Sequence, residues 1–219
     1  MISEITSQSP FAIPGLFWRE GRFSISEATS MTTSADPLGR IETVLPGDLA
    51  NAVAKRKSEF LAGRICAALA LRAAGQPVHV GRNGRAPIWP PGVAGSISHS
   101  DGRAIAVLSL AHSAIGVDCE TVMADALAQK LWPELISPAE AALCPPSTPF
   151  ASFLTLVFSA KEAVYKALSQ QLDTVPAFLE ASLISLTPGR LHLVLRGHAL
   201  KVEYRITQTE CVTLAVLGA

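Results

Sequence analysis

The feature that most constrains this chain is a short apolar segment that ends in two carboxylates and is followed about forty residues later by an amphipathic helix. The first segment, Ile115–Glu120, reads Ile-Gly-Val-Asp-Cys-Glu, and its apolar run is typical of a strand. Because strand side chains alternate between faces, Asp118 and Glu120 should point one way and Cys119 the other. We expect both carboxylates to face solvent. Two adjacent carboxylates repel each other unless positive charge lies between them.

The second segment, Phe158–Lys166, predicts a helix, because apolar residues such as Val164 and Leu168 recur at helical spacing. Glu162 and Lys166 are four residues apart and so lie on one helix face. If that face meets the strand, three carboxylates and a lysine converge. Three clustered oxygen donors are what a hard divalent cation such as Mg²⁺ takes from a protein.

Strand and helix periodicity also predicts the elements in the rest of the chain. The order of strands, a long helix and more strands occurs twice. A long helix should run from about Leu49 to Ala74, with Asp48 as its N-cap and Gly75 at its end. A short helix should begin with a capping box formed by Ser137 and Glu140, and a second long helix should begin at Pro149, capped by Ser147 or Thr148. The predicted strands after it are Leu183–Leu186, Leu191–Leu195, Lys201–Thr207 and Val212–Leu217.

The composition indicates a folded globular protein and does not point to nucleic acid or a membrane as a partner. Of 219 residues, 49% are hydrophobic and 16% charged, and the formal net charge is zero, so a phosphate site must come from local clustering. The widely spaced Cys66, Cys119, Cys144 and Cys211 do not form a zinc pattern and indicate reduced cysteines. Neither a signal peptide nor a membrane span is expected. We therefore predict a soluble, cytoplasmic protein.

The pair Gly116–Glu120 and Phe158–Lys166 resembles the signature of the 4′-phosphopantetheinyl transferases, in the enterobactin synthetase component D branch of the surfactin-type group. Each motif is weak alone, but the ordered pair is specific, and the resemblance extends from about Lys55 to about Leu168. It implies an α+β fold of two similar α/β halves related by a pseudo-two-fold. Each half would carry a long helix packed on a small, mostly antiparallel sheet. The N-terminal half, residues 1–113, would bind coenzyme A phosphates, and the C-terminal half, 114–219, would bind metal and catalyse.

Basic residues along the N-terminal half are candidates for phosphate binding. Arg56 and Arg64 should lie about 80° apart and roughly 12 Å along one helix, within reach of one extended anion. From the residues alone, a solvated basic flank beside Lys55 and Lys57 is the favoured interpretation. The family resemblance extends to the segment Arg56–Arg64 and to Arg85, which precedes a proline in a turn-rich loop.

The segment Gly-Ser-Ile-Ser-His, residues 95–99, predicts a strand that reaches a polar edge, and its third and fifth residues exclude a serine hydrolase elbow. A histidine in such a place is more often structural than a ligand. The family resemblance implies that Ser98 and His99 contact coenzyme A phosphates. Lys161 is placed on the rim of the site and, with Lys166, among the coenzyme A ligands.

The resemblance implies an enzyme that moves 4′-phosphopantetheine from coenzyme A to a carrier-protein serine and releases adenosine 3′,5′-bisphosphate. Asp118 and Glu120 would hold Mg²⁺, and Glu162 would complete or border the metal shell and take the serine proton. Lys166 would stabilise the developing charge. Asp118, Glu162 and Lys166 are the catalytic candidates.

Two other functions remain open at this point: a Mg²⁺-dependent nucleotide pyrophosphatase or phosphodiesterase, and a non-catalytic coenzyme A-binding protein. The expected partner is an acyl or peptidyl carrier protein of a non-ribosomal peptide, polyketide or fatty acid synthase. The branch suggests siderophore biosynthesis. Neither nucleic acid nor a membrane is expected as a partner, and the chain is expected to be a monomer.

Overall fold

The computed structural model describes residues 2–25, 33–36, 39, 41–169, 171, 172, 174 and 176–218. The chain divides into two units, Met1–Ala111 and His112–Ala219, called unit 1 and unit 2 below. Each unit packs a long helix on an antiparallel sheet. The predicted α+β class, with a long helix and a mostly antiparallel sheet in each half, is confirmed.

Unit 1 is built around one sheet and one long helix. Its elements are β1 (Ile2–Thr6), β2 (Leu16–Phe23), β3 (Thr33–Ala35), β4 (Glu42–Val44), α1 (Ala54–Ala73), β5 (Gly81–Asn83), β6 (Ala86–Ile88), β7 (Ala94–Ser100) and β8 (Arg103–Ser109). The main sheet has the order β1-β2-β8-β7, and β3-β4 and β5-β6 form separate antiparallel pairs. Buried α1 residues such as Ile65 and Leu69 pack against Leu108 and Ala106 of β8.

The predicted start of α1 at Leu49 is wrong, because α1 begins at Ala54. Residues Gly47–Leu49 form a separate turn of 3₁₀ helix. Asp48 does not cap α1, whose N-cap position is occupied by Val53; both carboxylate oxygens of Asp48 instead lie 2.9 Å from the guanidinium of Arg82. The predicted end is confirmed: Gly75 has a φ of 66°, the left-handed conformation that commonly closes a helix.

Unit 2 also contains a long helix and an antiparallel sheet, but its elements follow a different order along the chain. Its elements are β9 (Ala114–Thr121), α2 (Asp125–Leu135), α3 (Pro138–Ala141), α4 (Phe150–Leu168), β10 (Ala181–Thr187), β11 (Arg190–Leu195), β12 (His198–Ile206) and β13 (Glu210–Leu217). The sheet order is β10-β11-β12-β13-β9, so the predicted C-terminal strands are confirmed. Helix α4 packs mainly on β9 and β13.

The long helix of unit 2 begins one residue later than expected. Pro149 occupies the N-cap position, neither Ser147 nor Thr148 caps the helix, and its first residue is Phe150. The apolar face predicted from Val164 and Leu168 is confirmed, because both side chains are fully buried. In the part of the chain that the structure describes, no helix combines the length and apolar character needed to cross a membrane.

Candidate functional site

Helix α4 crosses strand β9 at Gly116, where the two backbones nearly touch. A Cβ at this position would overlap the carbonyl oxygen of Ala163 and crowd the amide nitrogen of Ala167. Glycine is the residue used where two backbones must approach this closely. Because strand side chains alternate, Asp118 and Glu120 lie on the same face of β9 as Gly116. The crossing therefore turns this face of the strand towards α4.

Asp118 is held by two side chains of α4. Its Oδ1 lies 2.7 Å from Lys166 Nζ, and its Oδ2 accepts a hydrogen bond from Ser159 Oγ at 2.8 Å. The expectation that Asp118 faces solvent is wrong: its side chain is 4% exposed, because α4 covers it, whereas the Lys166 side chain is 29% exposed. The predicted convergence of the strand with the Glu162–Lys166 helix face is observed for this pair.

A second strand completes the surroundings of Asp118. Thr213 of β13 stands directly opposite Asp118 in the sheet register. Its Oγ1 lies 2.9 Å from both the Oγ and the main-chain carbonyl oxygen of Ser159. Both hydroxyl-bearing residues are fully buried. Sequence reasoning missed both of them, although Ser159 shares a helix face with Glu162 and Lys166 by its spacing of three and seven residues.

The charges of this group influence one another. Burial alone would lower the pKa of Lys166, but the Asp118 carboxylate outweighs burial, with smaller contributions from Cys119 and Glu162, and raises it. Burial raises the pKa of Glu162; Lys166 opposes that effect, and Asp118 adds to it. Lys166 is therefore a firmly charged ammonium, and Glu162 is a carboxyl group that holds its proton more readily than usual.

The predicted metal ligands share a donor chemistry but are not assembled into a cluster. Among the residues described, no group of three or more His, Cys, Asp or Glu side chains is arranged to hold a metal ion. The donor type nevertheless fits Mg²⁺, because Asp118, Glu120 and Glu162 offer only carboxylate oxygens. Asp118 is also close enough to Glu162 to raise its pKa, so a divalent cation would relieve a repulsion that exists here. The metal role of these three residues stays a prediction.

Unit 1 carries a basic pocket between α1, the β5–β6 pair and β7. Among the described residues that line it, four are arginines and one is glutamate. The lining residues are Arg56, Glu59, Phe60, Gly63, Arg64, Arg82, Arg85, Pro87, Ile97 and His99. The structure thus brings Arg56, Arg64, Arg85 and His99 to one place, as an anion site requires. Arg82 was missed, because a turn rich in glycine and asparagine is common for backbone reasons alone.

Two of these side chains interact directly. Arg56 Nη1 lies 3.1 Å from His99 Nε2, which accepts from it. A neutral imidazole that accepts at Nε2 carries its proton on Nδ1, which lies 3.6 Å from Glu59 Oε2. Burial raises the pKa of Glu59, with Lys55 and Arg56 acting in the opposite direction.

Arg64 shows how densely positive charge is packed in this pocket. Its guanidinium donates to the carbonyl oxygens of Val80 and Gly81, both at 3.0 Å. Burial, with repulsion from Arg82 and Arg56, lowers its pKa to about 10. Such a depression indicates an excess of positive charge in a partly desolvated place, which a bound anion would offset.

Ser98 is not among the residues that line the pocket. Side chains alternate along β7, so Ile97 and His99 face the pocket while Ser98 faces the other side of the strand, where it is 4% exposed. The role of Ser98 as a phosphate ligand stays a prediction without support from its position.

The placement of Lys161 on the rim is wrong. Its side chain is 0% exposed, and its Nζ lies 2.9 Å from Glu140 Oε1. It also donates to the carbonyl oxygens of Leu135 at 2.8 Å and Phe178 at 3.1 Å. All three ammonium protons therefore have acceptors in the interior of unit 2. The 100° offset between Lys161 and Glu162 turns the lysine into the core and not along the edge of the site.

Glu140 explains why this lysine can be buried. The predicted capping box is confirmed: Glu140 Oε2 accepts from the Ser137 amide, and Ser137 Oγ accepts from the Glu140 amide. The other carboxylate oxygen accepts from the Leu183 amide at 2.8 Å. One glutamate thus caps α3, binds β10 and neutralises Lys161.

Comparisons with known proteins identify the family to which both units belong. Residues 45–109 match the 4′-phosphopantetheinyl transferase N-terminal domain, and residues 114–216 match the 4′-phosphopantetheinyl transferase superfamily. The enterobactin synthase component D of Salmonella typhimurium is 42% identical over 165 residues, which cover 74% of this chain and 69% of that protein.

Two further relatives extend this agreement. The enterobactin synthase component D of Escherichia coli O157:H7 is 38% identical over 76% of this chain and 80% of its own length. The 4′-phosphopantetheinyl transferase Npt of Nocardia iowensis is 39% identical over 54% of each chain. The chain belongs to the 4′-phosphopantetheinyl transferase family, in the branch of the enterobactin synthase D proteins.

Proposed function

We propose that this transferase moves 4′-phosphopantetheine from coenzyme A to a serine hydroxyl of a carrier-protein domain, with Mg²⁺, and releases adenosine 3′,5′-bisphosphate. The observation that carries the proposal is the crossing at Gly116, which sets Asp118 against Lys166. A carboxylate and an ammonium, with Glu162 near both, suit a reaction at a pyrophosphate.

We assign the binding of the nucleotide phosphates of coenzyme A to unit 1. The guanidinium groups of Arg56, Arg64, Arg82 and Arg85 line one pocket with His99. Guanidinium forks bind phosphate oxygens with charge-assisted hydrogen bonds. When a phosphate binds, Arg56 can turn from His99 Nε2 to a phosphate oxygen, and the freed imidazole can take a proton and donate to the same group.

We assign metal binding and the transfer step to unit 2. Asp118, Glu120 and Glu162 would hold Mg²⁺, which when bound would neutralise charge on the pyrophosphate oxygens. The serine oxygen forms a bond to the phosphorus on the pantetheine side, and the bond from that phosphorus to the bridging oxygen breaks. Glu162 takes the serine proton, and the charged Lys166 donates to the oxygens on which negative charge develops.

The partner is inferred from the relatives. Several are named as components of enterobactin synthase, so a peptidyl carrier domain of a siderophore synthetase is the first carrier to test. Carrier domains of fatty acid and polyketide synthases are the next.

Mass spectrometry of an apo carrier domain incubated with the protein, coenzyme A and Mg²⁺ tests this function. We expect the carrier serine to gain the mass of phosphopantetheine. Cleavage of coenzyme A without modification of any of these carriers would instead identify a pyrophosphatase. Binding of coenzyme A without cleavage would identify a non-catalytic protein.

A further inference from the structure

The buried hydroxyl pair of Ser159 and Thr213 has no part in the chemistry assigned above. Ser159 Oγ lies 2.8 Å from Asp118 Oδ2 and 2.9 Å from Thr213 Oγ1. A serine hydroxyl has one proton to donate, and an ionised carboxylate is a stronger acceptor than a neutral hydroxyl. Ser159 therefore donates to Asp118.

The direction of that bond fixes the role of Thr213. Because the Ser159 proton is used, the Thr213 hydroxyl is the donor, and its single proton is shared between the Oγ and the carbonyl oxygen of Ser159, both 2.9 Å away. The resulting chain runs from β13 through α4 to Asp118 on β9. It joins the three elements whose packing forms this side of unit 2.

The two oxygens of Asp118 thereby have different surroundings. Oδ2 is bound by Ser159, which is fully buried, and Oδ1 is bound by Lys166, whose side chain is 29% exposed. Because Ser159 and Lys166 bind different oxygens of Asp118, rotation of the carboxylate would break the buried bond to Ser159.

We propose that Ser159 and Thr213 are positioning residues for Asp118. They hold Oδ2 in the interior, so that Oδ1, the oxygen paired with Lys166, is the one offered to a divalent cation. This inference rests on the proposed function, since it takes Asp118 as a metal ligand. Side chains that orient a ligating carboxylate typically change metal affinity about 10–100-fold when they are removed.

The test is the affinity of the protein for Mn²⁺, measured by electron paramagnetic resonance in the presence of coenzyme A. We expect Ser159→Ala to raise the Mn²⁺ dissociation constant by roughly 10–100-fold. Thr213→Val, which keeps the shape and removes the hydroxyl, should shift it in the same direction by less. Thr213→Ser, which keeps the hydroxyl, should bind Mn²⁺ with the wild-type dissociation constant. Coenzyme A affinity without metal should not change, because the arginine pocket lies in unit 1.

Thr155 offers a matched control on the same helix, one turn before Ser159. It is also fully buried, and its hydroxyl donates to the Ala151 carbonyl oxygen and accepts from the Met123 amide. Thr155→Val should lower the melting temperature and leave the Mn²⁺ dissociation constant unchanged.

The outcomes separate the inference from the function on which it rests. Wild-type Mn²⁺ affinity in both Ser159→Ala and Thr213→Val would overturn the positioning role while leaving the function intact. Equal weakening by Thr155→Val would also overturn it, because the effect would then be general loosening of α4. If the wild-type protein with coenzyme A binds no Mn²⁺, the metal assignment fails and the positioning role fails with it.

Discussion

Gly116 of β9 and Ala163 of α4 approach so closely that a Cβ added at Gly116 would overlap the carbonyl oxygen of Ala163. Because the face of β9 that meets α4 is fixed at this point, Asp118 two residues later can lie against Ser159 and Lys166. The glycine of the Gly-Val-Asp-Cys-Glu segment is thus a packing requirement for the carboxylate beside it.

Gly116→Ala should destabilise unit 2. Overpacking of a well-packed core typically costs about 1–3 kcal/mol, and the value here should be at the upper end because the added methyl group would meet backbone atoms. Urea denaturation measures the change in the free energy of unfolding. Gly47→Ala is the matched control: nothing lies within 4 Å of its added Cβ, so its effect should stay within about 0.5 kcal/mol. Equal stabilities of the two variants would refute the close crossing.

The arginine pocket should determine the affinity for coenzyme A. Hydrogen bonds to charged groups contribute about 1.5–3 kcal/mol, so Arg56→Ala, Arg85→Ala or His99→Ala should each raise the dissociation constant roughly tenfold or more. Added salt should weaken binding to the wild-type protein, because the contacts are to phosphates. Isothermal titration calorimetry measures both effects.

Arg72 supplies the control for this set, since it lies on α1, is exposed and does not line the pocket. Arg72→Ala should bind coenzyme A as the wild-type protein does. Dephospho-coenzyme A, which lacks the 3′-phosphate, should bind more weakly than coenzyme A. If the two bind equally, these residues do not contact the 3′-phosphate.

The Glu140–Lys161 pair should be a major contributor to the stability of unit 2. Removing one partner of a buried ion pair typically costs about 3–5 kcal/mol, because the other charge stays buried without compensation. Glu140→Gln should show this loss in urea denaturation. The double variant Glu140→Gln with Lys161→Met should recover part of it, because it removes the uncompensated charge. A double variant as unstable as Glu140→Gln would argue that the capping box, and not the lysine, accounts for the loss.

The same pair predicts a pH dependence of stability. Burial acts to raise the pKa of Glu140, but hydrogen bonds from the amides of Ser137 and Leu183 and from Lys161 outweigh it, so the pKa is lowered from 4.5. A carboxyl group with a lowered folded-state pKa stabilises the fold above its unfolded value and loses that contribution as pH falls through the folded value. Stability should therefore decline from about pH 4.5 downwards, less steeply in Glu140→Gln than in the wild-type protein.

Local sequence patterns were sufficient to predict much of this fold. The strand at Asp118, the helix at Glu162, the cap at Ser137 and the end of α1 at Gly75 each depend on spacing or on backbone conformation within a few residues. A local signal also led to the error at Asp48: α1 begins after Val53, and Asp48 pairs with Arg82, a residue distant in sequence.

The parts of the site that sequence reasoning missed depend on contacts between distant residues. Thr213 meets Asp118 only through the pairing of β13 with β9, and Lys161 of α4 meets Glu140 of α3 through an ion pair that no local pattern reveals. The burial of Asp118 follows from the close crossing at Gly116, which a strand pattern alone does not reveal. The glycine two residues before the Asp118 carboxylate is the sequence signal of this close crossing.

Glu162→Gln should separate a proton acceptor from a metal ligand. The amide keeps the shape and one oxygen donor but cannot take the serine proton, so turnover should fall while coenzyme A affinity changes little. The measurement is a Mg²⁺ titration of the transfer rate beside the wild-type protein. Recovery of near wild-type turnover at saturating Mg²⁺ would leave Glu162 as a metal ligand alone.

The carboxylate of Asp118 is proposed to be essential for phosphopantetheinyl transfer. The most direct test is the mass of an apo carrier domain after incubation with the Asp118→Asn protein, coenzyme A and Mg²⁺. Asn has nearly the same shape as Asp but no charge, so it should lose both the metal and the pairing with Lys166. Asp125→Asn, at an exposed residue of α2, is the matched control. We predict a fully modified carrier with the wild-type and Asp125→Asn proteins, and an unmodified carrier with Asp118→Asn despite normal coenzyme A binding. Modification by Asp118→Asn at the wild-type rate would contradict the claim.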